Sequence, residues 1–168
     1  MAVSTDRSGS IERLEIRAAR GDDAETLLRI QREASVASFA HIFPPHRYPF
    51  PDGDVLALWR SALADSEVDV DVAEAEGEAI GSVSVDDQWL RTLYVVPEHW
   101  SHGVGSALLE HALVRMRERG ATRAKLWTLE DNESARRFYE RRGWRLTAET
   151  RIVPFPPHPI DVQYSKEL

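Results

Sequence analysis

The sequence contains no cysteine. Disulfide scaffolds, thiolate metal sites and cysteine nucleophiles are therefore excluded together. No apolar run approaches the roughly 20 residues that cross a bilayer, so no membrane contact is expected. The opening MAVSTDRSGS lacks the apolar segment of an export signal, which makes the cytoplasm the expected location. A basic surplus is also missing. The chain has 28 acidic and 21 basic residues and a net charge of -7. Nucleic-acid binders usually carry a basic surplus or stripe, so no nucleic-acid partner is expected. An acidic surface suits cationic partners such as amines.

What is present is one domain's worth of chain: 168 residues, 42% apolar and 29% charged. Residues 1–10 are Ser-rich and polar and read as a disordered tail, leaving 11–168 as a single domain. Residues 11–18 alternate as a short strand. Gly21-Asp22-Asp23 then starts a helix whose stripe is Ala24, Leu27, Leu28, Ile30 and Ala34. The segment 41–53, HIFPPHRYPFPDG, has four prolines and three aromatics, a stiffened loop of the kind that often binds. Residues 54–64 read as a second helix. In 67–74, Val68, Val70 and Val72 alternate with Glu67, Asp69 and Asp71, as in a half-exposed strand with a solvated acidic face. Strands follow at 79–85 and 89–96, giving an antiparallel meander. A helix at 106–119, a strand at 124–129, a helix at 132–142 and strands at 144–149 and 160–165 complete the order β, α, α, β, β, β, α, β, α, β, β.

Two stretches carry chemistry. In 90–109, LRTLYVVPEHWSHGVGSALL, a strand runs into a glycine loop and then a helix. Gly103 and Gly105 allow close backbone approach, and loop N–H groups with a helix N-terminus suit an anion such as phosphate. No Gly-Lys-Ser/Thr follows, and Leu108 stands where a dinucleotide fingerprint needs its third glycine. Taken alone, the loop reads equally as a flexible turn before a core helix. In 126–144, LWTLEDNESARRFYERRGW, the residues Asn132, Ala135 or Arg136, and Tyr139 share one helical face. The plainer readings are an N-cap for Asn132 and a core-edge aromatic for Tyr139. Arg136, Arg137, Arg141 and Arg142 read as a mostly solvated helix face, from which one or two can meet phosphates. His41, His46, His99 and His102 lack compact ligand spacing, and no metal is expected.

Together, over roughly residues 12–168, these stretches resemble the GNAT acetyltransferase superfamily. Leu93-Tyr94-Val95, Pro97-Glu98 and Gly103-Val104-Gly105 are similar to its acyl-CoA segment. Asn132, Ala135, Phe138, Tyr139, Glu140, Gly143 and Trp144 are similar to its second segment, and Ile16, Arg17, Ala19, Asp23 and Ala24 to its opening. The resemblance implies an α/β fold: a mixed, mostly antiparallel twisted sheet of about seven strands flanked by helices, splayed near Val95. It implies acetyl-CoA as co-substrate and a primary amine, expected on a small molecule, as acceptor. A protein N-terminal or lysine amine is the rival acceptor, and a non-catalytic acyl-CoA sensor the rival class. Homodimerisation is compatible with each.

By the same resemblance, the backbone of Leu93, Tyr94 and Val95 would pair with the pantetheine arm. Trp100, Ser101, His102, Gly103, Val104, Gly105 and Ser106 would hold the pyrophosphate, and Asn132 and Ala135 the cofactor arm. Tyr139 would contact the cofactor and protonate the leaving thiolate. Phe39, His41 and Phe43 would line the acceptor site. The loop departs from the family's Gln/Arg-x-x-Gly-x-Gly: Trp100 stands at the Gln/Arg position, Ser101 at a common Gly and His102 at a common Lys or Arg. Asp86, Asp87, Glu98 or a water relay are the alternatives for the general base.

Overall fold

The computed structural model describes residues 13–168. The tail read at 1–10 and the first residues of the 11–168 domain lie outside them. The strands are β1 (Leu14–Ala18), β2 (Val68–Ala75), β3 (Glu78–Asp86), β4 (Trp89–Val95), β5 (Arg123–Leu129), β6 (Arg145–Ile152) and β7 (Ile160–Glu167). The helices are α1 (Ala24–Phe39), α2 (Asp52–Ala64), α3 (Val104–Glu118) and α4 (Glu133–Glu140). The element order is the one the hydrophobic periodicities predict. All seven strands form one mixed sheet in the order β1-β2-β3-β4-β5-β7-β6. Each neighbouring pair is antiparallel except β4 with β5.

Burial of apolar stripes holds the layers together. Leu27 and Ile30 of α1, Val55 and Trp59 of α2, and Leu108, Leu109, Leu113 and Met116 of α3 are all buried against the sheet. Each such aliphatic side chain contributes about 1.5–3 kcal/mol relative to exposure. The Tyr94 side chain reaches Ser35 of α1, whereas a methyl group on Gly105 of α3 would touch Val95. Adjacent residues of one strand point to opposite faces, so α1 and α3 flank the sheet from opposite sides. The predicted start of α1 is fixed by charge. The Asp23 carboxylate accepts the Arg20 N–H at 2.7 Å and two guanidinium N–H groups of Arg17 at 2.8 and 3.0 Å. The Arg17 guanidinium bonded to it holds that carboxyl below its ordinary pKa.

The acidic face of β2 is not solvated as its alternation suggests. Asp71 is 5% exposed. It lies 3.2 Å from His111, and Asp69 meets Arg115 at 3.1 Å and Arg119 at 3.6 Å, all from α3 or its C-terminal end. On the other face, Glu74 meets Arg17 at 2.7 Å. A period of two reports which residues share a face; it does not report that a cationic helix covers that face. The helix expected at 106–119 begins at Val104, because Gly103 already takes a left-handed φ of 84° and accepts the Ala107 N–H at 3.0 Å.

The close approach of α3 to the sheet depends on Gly81. A Cβ there would stand 2.9 Å from Leu108 Cδ1, 3.0 Å from the Tyr94 carbonyl oxygen and 3.3 Å from Val104 Cγ1. Gly81→Ala is expected to lose about 1–3 kcal/mol of stability, the usual range for overpacking. A urea-unfolding midpoint equal to that of the parent chain would contradict this close packing.

Candidate active site at the opening of the sheet

The one parallel pairing is brief. β4 and β5 are in register only at Trp89↔Lys125 and Leu90↔Leu126. Thereafter the strands separate. A bulge contributes to this: Leu90 pairs with Val85 and Thr92 with Ser84, leaving Arg91 unmatched. An extra residue reverses which way the following peptide groups point. The Val96 N–H donates to the Ile80 carbonyl of β3 at 2.9 Å. Residues two apart share a direction, so Tyr94 and Thr92 also address β3. The peptide groups of Leu93 and Val95 therefore point away from β3, into the gap that β5 has left.

The chain leaves β4 through a 3₁₀ turn at Pro97–His99 and enters the glycine loop. The Trp100 indole N–H donates to the Val95 carbonyl at 2.7 Å, and the His102 Nδ1–H donates to the Trp100 carbonyl at 2.8 Å. Ser101 has a φ of 64° and Gly103 a φ of 84°. The left-handed region disfavours a side chain, which explains why glycine is common in the resembling family at the position Ser101 occupies. Val104, Gly105 and Ser106 form the first turn of α3, where N–H groups have no intrahelical acceptor and an anion is favoured.

α4 lies beside this turn. The Asn132 side-chain oxygen accepts the Ala135 N–H at 3.2 Å, so it caps α4 as the plainer reading holds, and its NH₂ group remains for a ligand. Ala135 is half-buried on the same helix. Phe138 lies close to Gly105, at a distance a methyl there would fill. Tyr139 is 8% exposed, packed edge-on against Phe138 and Trp144. Burial, reinforced by the neighbouring Tyr94, pushes its phenol well above the ordinary tyrosine range. Burial pushes Tyr94 up to about 12, partly offset by a hydrogen bond with Ser35. Tyr94 comes from the α1 face and Tyr139 from α4, so two protonated phenols flank the gap.

The proline-rich loop between α1 and α2 closes the far side. His41 Nε2–H donates to the Asp131 carbonyl at 3.1 Å. Phe43 meets Phe39 at 6.5 Å and Phe155 at 6.0 Å between ring centroids. Phe39, His41 and Phe43 are thus gathered against the β5–α4 turn and the β6–β7 loop. Sequence reasoning missed Phe155; its signal was a second proline-aromatic segment, VPFPPHP, of the same character as 41–53. A cavity of about 680 Å³ opens here, lined by residues that include Ser38, His41, Glu130, Asp131, Asn132 and Glu133. Asp86 and Asp87 sit at the β3–β4 turn, where β4 is still paired, at the opposite end of that strand from Val95. Glu98 is in the 3₁₀ turn that follows β4. Among the described residues no group of three His, Asp or Glu side chains is placed to hold a metal ion, and no helix is long and apolar enough to cross a membrane.

Arg142 is the feature least expected. Instead of facing solvent, it donates from Nη2 to Ser106 Oγ at 2.5 Å and from Nη1 to the Phe138 carbonyl at 2.9 Å. Its guanidinium lies 3.8 Å over the Phe138 ring. Arg136 is also engaged, donating to the Tyr164 hydroxyl at 3.1 Å and the Glu130 carbonyl at 3.0 Å.

Comparison with known proteins places the chain in one family. The sequence model of the family described as Acetyltransferase (GNAT) family matches residues 25–144. An uncharacterised N-acetyltransferase of Archaeoglobus fulgidus is 32% identical over 137 residues, covering 75% of this chain and 89% of that protein. The peptidyl-lysine N-acetyltransferase YjaB of Escherichia coli is 27% identical over 148 residues, covering 88% and 93%. The crystal structure of the PaiA N-acetyltransferase of Thermoplasma acidophilum in complex with coenzyme A superposes with a TM-score of 0.71 at 21% identity, covering 92% of this chain and 99% of that one. This last likeness is one of fold.

Two outcomes follow from the backbone and the phenols. Ser101→Gly is expected to raise stability by up to about 1 kcal/mol by relieving the left-handed serine; a lower thermal midpoint would contradict it. Unfolded tyrosines ionise near pH 10, whereas Tyr94 and Tyr139 titrate above that when folded. Their contribution is therefore intact below pH 10 and lost as pH rises through the folded values. Urea unfolding at stepped alkaline pH should show that decline, and Tyr139→Phe should flatten it.

Proposed function

The chain belongs to the GNAT family of acetyltransferases, and on that premise we propose that it transfers an acetyl group from acetyl-CoA to the primary amine of a small cationic molecule. The observation that carries this reading is the opening between β4 and β5, which leaves the Leu93 and Val95 peptide groups without a strand partner beside a glycine loop and a helix start. An extended amide-bearing arm fits the first, as an added strand would. A pyrophosphate fits the second. In this proposal Leu93, Tyr94 and Val95 hold the pantetheine arm, and residues 100–106 (Trp100, Ser101, His102, Gly103, Val104, Gly105 and Ser106) hold the pyrophosphate. Ala135 and the NH₂ group of Asn132 contact the arm.

Acetyl-CoA supplies the activated acyl group as a thioester. The Val95 N–H, aimed into the gap, would polarise its carbonyl as an oxyanion donor does. Tyr139 would give its phenolic proton to the departing sulfur as the amine nitrogen bonds to the acyl carbon. A tyrosine phenol is already protonated at neutral pH, as that role requires, and burial keeps it so. The cavity beside Asn132 has the size of a small-molecule site, and Glu130, Asp131 and Glu133 outweigh Arg136 in its lining, a balance that attracts an ammonium group. Phe39, His41 and Phe43, with Phe155, would form its outer wall. Asp86 and Asp87 stand too far along β4 to serve as base, which leaves Glu98 or a water relay as the route for the amine's proton.

A protein amine is the second reading, supported by the peptidyl-lysine specificity named for the Escherichia coli relative. Coenzyme A release from acetyl-CoA, followed with a thiol reagent, separates the two when run against a panel of small polyamines and aminoglycosides and a panel of lysine and N-terminal peptides. Turnover with small amines supports the first; turnover with peptides alone overturns it. Tight acetyl-CoA binding without release with any acceptor would favour a sensor. Tyr139→Phe is expected to lower kcat by about 100-fold or more, the scale of a lost general acid, with little change in acetyl-CoA affinity. Unchanged kcat would remove Tyr139 from the role.

A further inference from the structure

We propose that Arg142 is the phosphate-binding cation of the acyl-CoA site, supplied from the end of α4 in place of a charged residue in the glycine loop; the inference rests on the acetyl-CoA reading above.

The argument begins with what the loop lacks. Backbone N–H groups at a helix start already favour an anion, and a nearby cation strengthens that hold with charge-assisted hydrogen bonds. Trp100 has no charge, and its one polar atom is turned away onto the Val95 carbonyl. His102 spends Nδ1 on the Trp100 carbonyl. Neither fixes a positive charge beside the first turn of α3. Arg142 does. Its Nη2 meets the hydroxyl of Ser106, in that first turn.

The placement is built, not incidental. The guanidinium carbon lies 3.8 Å from the Phe138 ring centroid, Nη1 is tied to the Phe138 carbonyl, and Lys166 holds the Arg142 carbonyl at 2.7 Å. The neighbouring Arg141 is exposed, whereas Arg142 is half-buried. Stem, plane and backbone are thus fixed before a ligand arrives, which reduces the entropy lost on binding. A guanidinium has five N–H donors, and two of these nitrogens carry the protein contacts, so donors remain for a phosphate oxygen. The same Phe138 ring lies beside Gly105, so cation and loop share one wall.

The test uses Arg142→Met, which keeps the stem on Phe138, and Arg142→Lys, which keeps the charge. Each is assayed with acetyl-CoA, with dephospho-acetyl-CoA and with S-acetylpantetheine, which lacks every phosphate. Arg142→Met should raise KM for the first two about 10-fold or more, the scale of one charge-assisted hydrogen bond. It should leave kcat/KM for S-acetylpantetheine unchanged. Arg142→Lys should recover part of the loss. Unchanged KM for acetyl-CoA, or an equal loss with all three donors, would make Arg142 a structural clamp between α3 and α4 and overturn the inference. Loss with acetyl-CoA but not with dephospho-acetyl-CoA would assign it to the 3′-phosphate and overturn the pyrophosphate role. Failure of the parent chain to bind acetyl-CoA at all would instead overturn the proposed function.

Discussion

Everything distinctive about this molecule depends on a pairing that stops. A strand inside a sheet normally spends its N–H and C=O groups on both neighbours, and leaving them unpaired is costly. Here β4 is paired with β5 over two register positions and with β3 over its whole length. The bulge at Arg91 makes the remainder useful, because it turns the Leu93 and Val95 groups toward the side where the partner is gone. Without the extra residue, the same strand would offer Tyr94 and Thr92 to the gap. The free groups lie in a cleft between helices on both faces, so a ligand that reaches them must offer hydrogen bonds in place of the missing strand.

α4 connects the parts that surround this gap. It is eight residues long. Its N-cap Asn132 stands at the acid-lined cavity, its buried Tyr139 flanks the gap, and Arg142, just past its end, reaches the start of α3. A helix this short is not stable by propensity alone. It is held by what it touches: Tyr139 between Phe138 and Trp144, and Glu140 accepting the Tyr164 hydroxyl at 2.6 Å. The packing that makes the helix form therefore also sets the positions of its functional side chains.

Much of this was legible from the residues. Element order follows from periodicity, and the glycine loop and the Asn132–Tyr139 face mark the two helices at the site. His41 and Phe43 share one stiffened segment, which the proline count betrays, and Phe39 ends the helix that leads into it. What was not legible depends on contacts between elements far apart in the chain. The acids of β2 look solvated until α3 lays His111, Arg115 and Arg119 across them. Phe155 and Phe43 are remote in sequence and meet only because two proline-rich loops converge at one end of the sheet. The loss of register after Leu90 leaves no mark in a strand whose apolar pattern continues to Val96.

Trp100 and Arg142 are best understood as one arrangement. Two things strengthen a glycine loop's hold on phosphate: a backbone that aims its N–H groups outward, and positive charge nearby. In this chain they come from different elements. The backbone shape is kept by Ser101 and Gly103 in the left-handed region and by the Trp100 indole pinned to Val95. That pin also occupies one of the four free groups of Leu93 and Val95, so an arm entering the gap either uses the remaining three or displaces the indole. The charge is met, in our proposal, from α4. A cation on the loop would move with the loop; a cation on Arg142 is held by Phe138 and Lys166 whatever the loop does.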